Sequence, residues 1–126
     1  MTGSELYAAA LDIAGIRLKN GGIPATADDL SARSVSLINI LITENRFLNR
    51  LLDPEAPTPA LISSLDDTVA LDPRLLDAAL PYGLCSLLIQ PDDPDEAALL
   101  HSRYVQAIVR IKSELPAKRQ SITEVY

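Results

Sequence analysis

The chain has 126 residues, enough for one domain, and 48% of them are hydrophobic while only 4% are aromatic. Its core must therefore be built from Leu, Ile, Val and Ala, which suits packed helices. A formal net charge of −6 argues against a general nucleic-acid binder, which carries a basic patch, and no apolar run approaches the roughly 20 residues that span a bilayer.

In chain order, residues 4–19 are predicted to form the first helix. Ser4 serves as its cap, and Leu6, Ala10, Ile13, Ala14 and Leu18 give an apolar face. Gly15 weakens it by up to about 1 kcal/mol relative to Ala. Asn20-Gly21-Gly22 stops it, because these residues accept positive φ at a helix C-terminus. The amino-terminal stretch has no basic region followed by an apolar core, so no secretory signal is expected. Ile23-Pro24 then leads into the longest periodic stretch, Thr26 to Asp53. There Leu30, Val35, Leu37, Ile38, Leu41, Ile42, Leu48, Leu51 and Leu52 are apolar. Ser36, Asn39, Thr43, Arg46, Arg50 and Asp53 recur every three or four positions as a polar stripe. Thr26 and Asp29 cap its start and Pro54 ends it. At about 1.5 Å per residue such a helix is about 42 Å long. A rod of that length is expected to form the spine of a small bundle or to project towards a partner.

Pro54-Glu55-Ala56-Pro57-Thr58-Pro59 is a stiff, extended connector. From Leu61 to Leu71 the pattern is not helical, and Asp66-Asp67 reads as a turn between short extended pieces, a small β-hairpin. Asp72-Pro73 opens a third helix with a buried face of Leu76, Leu80, Leu84, Leu87 and Leu88. Pro81 is expected to kink it, Gly83 to permit a close crossing, and Pro91 to follow its end at Gln90. Asp93 caps a fourth helix, with Pro94 in its first position and Glu96 completing a capping box. Its stripe is Ala97, Leu100, Tyr104, Ala107, Ile108, Ile111 and Leu115, ended by Pro116. The last ten residues alternate polar and apolar after Lys118-Arg119. They read either as a frayed terminus or as an arm that adds a strand to a partner.

The fold expected from these elements is mainly α: a small bundle of four helices with one long central helix. A short β-hairpin-like segment precedes the third helix, and an extended arm, 117–126, follows a helical domain, 1–116. Charge is uneven along it. Residues 61–100 hold one Arg against eight carboxylates, net −7, whereas 101–126 hold five basic residues against two acidic ones, net +3. A basic end on an acidic body reads either as electrostatic docking, with like copies as one candidate partner, or as surface charge without a docking role.

No catalytic signature emerges. The sequence has no Gly-rich phosphate loop, CxxC pair, HExxH or GxSxG, and an enzyme is not expected. Cys85 is the single cysteine, which leaves no internal disulfide and fits synthesis in a reducing cytoplasm. It lies in an apolar run and reads as a buried, inert thiol. His101 has no partner set for zinc. The Asp-rich turn at 92–96 lacks the central Gly and distal Glu of a calcium loop, so neither metal nor cofactor is expected.

The order of features carries a resemblance. An N-terminal helix and a long helix precede Ile62-Ser63-Ser64-Leu65-Asp66-Asp67-Thr68-Val69-Ala70-Leu71-Asp72. A helix with Leu80-Pro81-Tyr82-Gly83-Leu84 follows, and the tail reads Ile122-Thr123-Glu124-Val125-Tyr126. This resembles the head–tail connector (adaptor, or head-completion) proteins of long-tailed bacteriophages and prophages. The resemblance implies a non-catalytic virion subunit, made in the bacterial host cytoplasm, that forms a ring of about a dozen copies. The ring would sit under the portal protein and meet a tail-side neck or stopper protein, with DNA only as passing cargo and no membrane contact. It gives Lys118, Arg119, Ile122, Val125 and Tyr126 to a portal-binding arm, and it makes Asn39, Thr43, Arg46 and Arg50 a candidate inter-subunit or channel-facing stripe. The competing reading is a helical DNA-binding or packaging protein of the small-terminase kind, or a phage-encoded regulatory interaction module.

Overall fold

A computed structural model of the chain describes residues 1–15 and 28–115. Among the described residues five helices follow one another: α1 (Gly3–Ala14), α2 (Asp28–Leu52), α3 (Pro73–Ala78), α4 (Leu80–Ile89) and α5 (Pro94–Ser113). The chain is thus mainly α, but the four-helix arrangement is corrected in two ways. The third predicted helix is two helices, and the long helix is not the central one. The other four helices all pack against α4.

The reason lies in composition. Leu80, Pro81, Gly83, Leu84, Cys85, Ser86 and Leu88 of α4 are all buried. A ten-residue helix with so few polar side chains has no face to give to water, so it must be wrapped. Leu6, Tyr7, Ala10 and Leu11 of α1 join it in one core with Ile38, Leu41, Ile42 and Leu48 of α2. Leu75 and Leu76 of α3 and Leu100, Tyr104 and Ile111 of α5 complete that core. Pro81 is responsible for the break ahead of α4. Its ring clashes with the carbonyl four residues back and it has no N–H to donate there. The chain therefore turns at Ala79 and restarts with Pro81 in the first turn of α4, where no donor is needed.

Helix ends differ from expectation at three points. Thr2, not Ser4, caps α1: its Oγ1 accepts from the Glu5 amide (3.2 Å), and Glu5 Oε1 accepts from the Thr2 amide (2.9 Å). Gly15 ends α1 in the left-handed conformation (φ 74°), well before the predicted end. Residues 16–19, Asn20-Gly21-Gly22 and the Thr26 cap lie outside the described residues. Asp93 caps α5 by accepting from the Glu96 amide (3.1 Å). The return bond of a capping box does not form, because the Asp93 amide already donates to the Ile89 carbonyl (2.8 Å). Asp72 caps α3 as expected, with Pro73 in the first turn.

The β-hairpin is overturned. No strand occurs among the described residues, and residues 61–71 contribute a single antiparallel bridge, Thr68 to Thr2. Local side chains capture the donors that a hairpin would need. Asp67 Oδ2 accepts from the amides of Ser63 (2.8 Å) and Ser64 (3.1 Å), and Ser64 Oγ accepts from the Asp66 amide (3.1 Å). Such bonds compete with sheet ladders. The carbonyls of this segment serve α1 instead. Leu65 O and Asp67 O accept from the Ser4 (2.8 Å) and Gly3 (3.0 Å) amides, two first-turn donors that no intrahelical carbonyl can reach.

Gly83 marks the tightest crossing. A Cβ there would stand 2.9 Å from Tyr104 Cδ1 and 3.2 Å from Leu41 Cδ2. Gly83→Ala should therefore lower stability by about 1–3 kcal/mol through overpacking, read as a lower urea midpoint at unchanged slope. The Arg74 guanidinium, 2.9 Å from Asp72, holds the Asp72 carboxyl below the ordinary carboxylate range. The stabilisation it gives is present above that range and is lost as pH falls through the lowered folded value. Asp72→Asn should flatten the acid limb of a stability–pH curve measured by urea denaturation.

Candidate interaction surfaces

The polar stripe on α2 lies beside the connector. Asn39 makes a paired contact with the Ile62 backbone: its Nδ2 donates to the carbonyl (2.9 Å) and its Oδ1 accepts from the amide (2.8 Å). Arg46 donates through Nε (3.2 Å) and Nη2 (3.0 Å) to the Pro59 carbonyl. Asn49, which sequence reasoning missed, accepts from the Asp72 amide (2.7 Å). Positions 39, 46 and 49 share one helix face, so α2 holds 59–72 at three points. The clue was present in the spacing of Asn49 from Arg46. Thr43 bonds within its helix, to the Asn39 carbonyl (2.9 Å). Arg50 is exposed and has no ion pair among the described residues. The structure thus brings Asn39 and Arg46 together on the chain's own connector. The arm residues Lys118, Arg119, Ile122, Val125 and Tyr126 lie outside the described residues.

Behind this stripe, α2 turns an apolar pair away from the core. Ile40 is 49% exposed and Phe47, the chain's single Phe, is 67% exposed. Seven residues, two turns, separate them, so they lie on one face. Leu61 is 52% exposed and lies with Ile40 along a shallow depression. On α5, Val105 and Val109, four residues apart, are also exposed and face away from the Leu100–Tyr104–Ile111 core. The sequence reading placed none of these five on a functional surface. A helical wheel would have found the four on α2 and α5, because each falls opposite the buried stripe of its helix; Leu61, on the connector, has no such signal.

A groove of about 630 Å³ runs between α3–α4 and α5. Ala78, Tyr82, Arg103, Ala107, Arg110 and Ile111 are among the residues that line it. The Arg103 guanidinium carbon is 6.0 Å from the centroid of the Tyr82 ring, within cation–π range. Arg74 at one end is already committed, to Asp72 and to the Leu52 carbonyl that closes α2 (3.3 Å). Two carboxylates also line the groove: Asp77, one turn beyond Arg74, and Glu114, one turn beyond Arg110 at the end of α5, which also acts electrostatically on Arg74. Arg103 and Arg110 have no ion pair among the described residues.

The buried titratable groups are occupied with packing. Burial pushes the Cys85 thiol up to about 11, so it stays protonated and lacks the thiolate that reactivity requires. Tyr104 donates to Glu44 Oε1 (3.2 Å) and accepts from Asn45 Nδ2 (2.9 Å), and burial pushes its hydroxyl up to about 12. His101 is exposed, 6.0 Å from the Tyr104 ring. Among the described residues no three His, Cys, Asp or Glu side chains are grouped to hold a metal ion. No described helix is long and apolar enough to cross a membrane.

Comparison with known protein families, curated proteins and solved structures gives no match. The surfaces themselves are what the chain offers. The α2 clamp is testable directly. Asn39→Ala removes both bonds to Ile62 and strands a partly buried amide, at a cost of about 1–3 kcal/mol. Hydrogen exchange should accelerate at Ile62 more than at Val69, whose amide donates to the Met1 carbonyl (2.9 Å).

Proposed function

We propose that the chain is a structural subunit of the head–tail connector type, one that forms a ring under a phage portal and joins capsid to tail. The observation that carries this reading is the pair of outward apolar faces on two different helices: Ile40 and Phe47 on α2, with Leu61 beside them, and Val105 and Val109 on α5. A ring is built from heterologous contacts, in which one face of a subunit meets a different face of the next. Two unlike faces on one small body are what such a contact requires. An aromatic side chain that leaves two-thirds of its surface in water gains stability when a neighbour covers it.

The order of elements supports the same reading. A short helix, a long helix, a clamped connector, the Leu80-Pro81-Tyr82-Gly83-Leu84 helix and a last helix lead to the tail at 117–126. In this proposal the tail residues Lys118, Arg119, Ile122, Val125 and Tyr126 reach the portal, Arg50 and Thr43 stay on the outer side of α2, and DNA passes without being bound.

The test is the copy number of this chain in purified particles of the phage or prophage that encodes it, by quantitative mass spectrometry against the portal subunit. Copies close to those of the portal are expected, and absence from the particles overturns the proposal. Phe47→Glu should leave the melting temperature of the isolated chain unchanged, because position 47 lies outside the core, and should remove the chain from particles.

A further inference from the structure

We infer that copies of this chain dock head to tail through charge, the acidic α4–α5 turn of one copy entering the Arg103–Arg110 side of the α3–α5 groove of the next. The turn protrudes: every residue from Gln90 to Glu96 is exposed. It carries Asp92, Asp93, Asp95 and Glu96; Asp93 caps α5, and Asp95 and Glu96 lie in its first turn, where they also complement the helix dipole. Asp92, Asp95 and Glu96 have no ion pair among the described residues. In the groove, Arg103 and Arg110 are the matching unspent charges, two turns apart on one face of α5, with the Tyr82 ring beside Arg103. Asp77 and Glu114 also line the groove, but neither makes an ion pair with Arg103 or Arg110 among the described residues.

One helix separates the two charge sets. Glu96 is seven residues from Arg103 and fourteen from Arg110, about 10 and 21 Å along α5. A turn that is rigidly capped onto the start of α5 cannot fold back to the middle of the same helix. The turn of a second copy can reach it, and the second copy then presents its own groove to a third. The contact is heterologous and propagates until it closes. Guanidinium groups suit it, because each binds a carboxylate through two parallel N–H bonds. This contact deepens the ring proposed above by naming one of its faces, and it rests on that reading only for closure.

The test uses the full chain in analytical ultracentrifugation. At about 0.01 M salt, where the Debye length is about 30 Å, the weight-average mass should rise with concentration, and at about 1 M salt it should return to that of a monomer. Arg103→Glu with Arg110→Glu should remain monomeric at low salt, and so should Asp92→Lys with Asp95→Lys. These four positions are exposed, so each variant should stay folded, with the melting temperature lowered by at most a few degrees where Asp95→Lys reverses a charge in the first turn of α5. The chain carrying all four substitutions should associate again, since both faces are reversed together. A chain that is monomeric at low salt at every concentration overturns the inference, as does association that either pair of substitutions leaves intact. Failure here with portal-like copy numbers in particles would reject this contact and spare the connector reading. Association here with no copies in particles would do the reverse.

Discussion

The structure depends on covering α4. Ten residues with almost no polar surface cannot lie at the edge of a small protein, and the other four helices are arranged around them. Gly83 lets α5 and α2 approach closely enough for Tyr104 and Leu41 to meet over the α4 backbone. Tyr104 then links three elements: its ring packs on α4 and its hydroxyl joins Asn45 and Glu44 of α2. The polar ends of α4 are tied in as well, since Arg33 of α2 donates to the Leu88 carbonyl (3.1 Å) in the last turn, where no intrahelical partner exists.

With α4 at the centre, the long α2 becomes a strut along one side. Its inner face closes the core and its flank is a clamp. Residues 54–72 cross the surface without a sheet, and their backbone groups still need partners. Asn39, Arg46 and Asn49 supply them from one side and the first turn of α1 from the other. The same bonds complete α1, whose Gly3 and Ser4 amides find their acceptors in the 65–67 turn. The connector and the first helix therefore order each other.

What remains outside this scheme is the outer surface: apolar side chains on the backs of α2 and α5, an acidic turn at one end of α5, and unspent arginines along its middle. The apolar side chains lie outside the core, and in the acidic turn Asp93 also caps α5. In the proposed assembly of like copies, a neighbouring molecule completes each of these features.

Much of the local structure was legible in the sequence because it follows from short-range chemistry. The helical stretch ending before Pro54, the Asp72-Pro73 and Asp93-Pro94 starts, the buried character of Cys85 and the close crossing at Gly83 depend on a few neighbouring residues. So does the imbalance of charge between 61–100 and 101–126. Tertiary structure decided what depended on distant partners. It made α4 the hub, because burial of that helix is shared among four others. It turned the expected hairpin into a clamped connector, because Asp67 and α2 side chains claimed its backbone. It split the third helix at Ala79, where the wrapped core tolerates a break that Pro81 imposes. And it assigned Asn39 and Arg46 to the chain's own connector, since periodicity places a side chain on a face but only packing determines what that face meets.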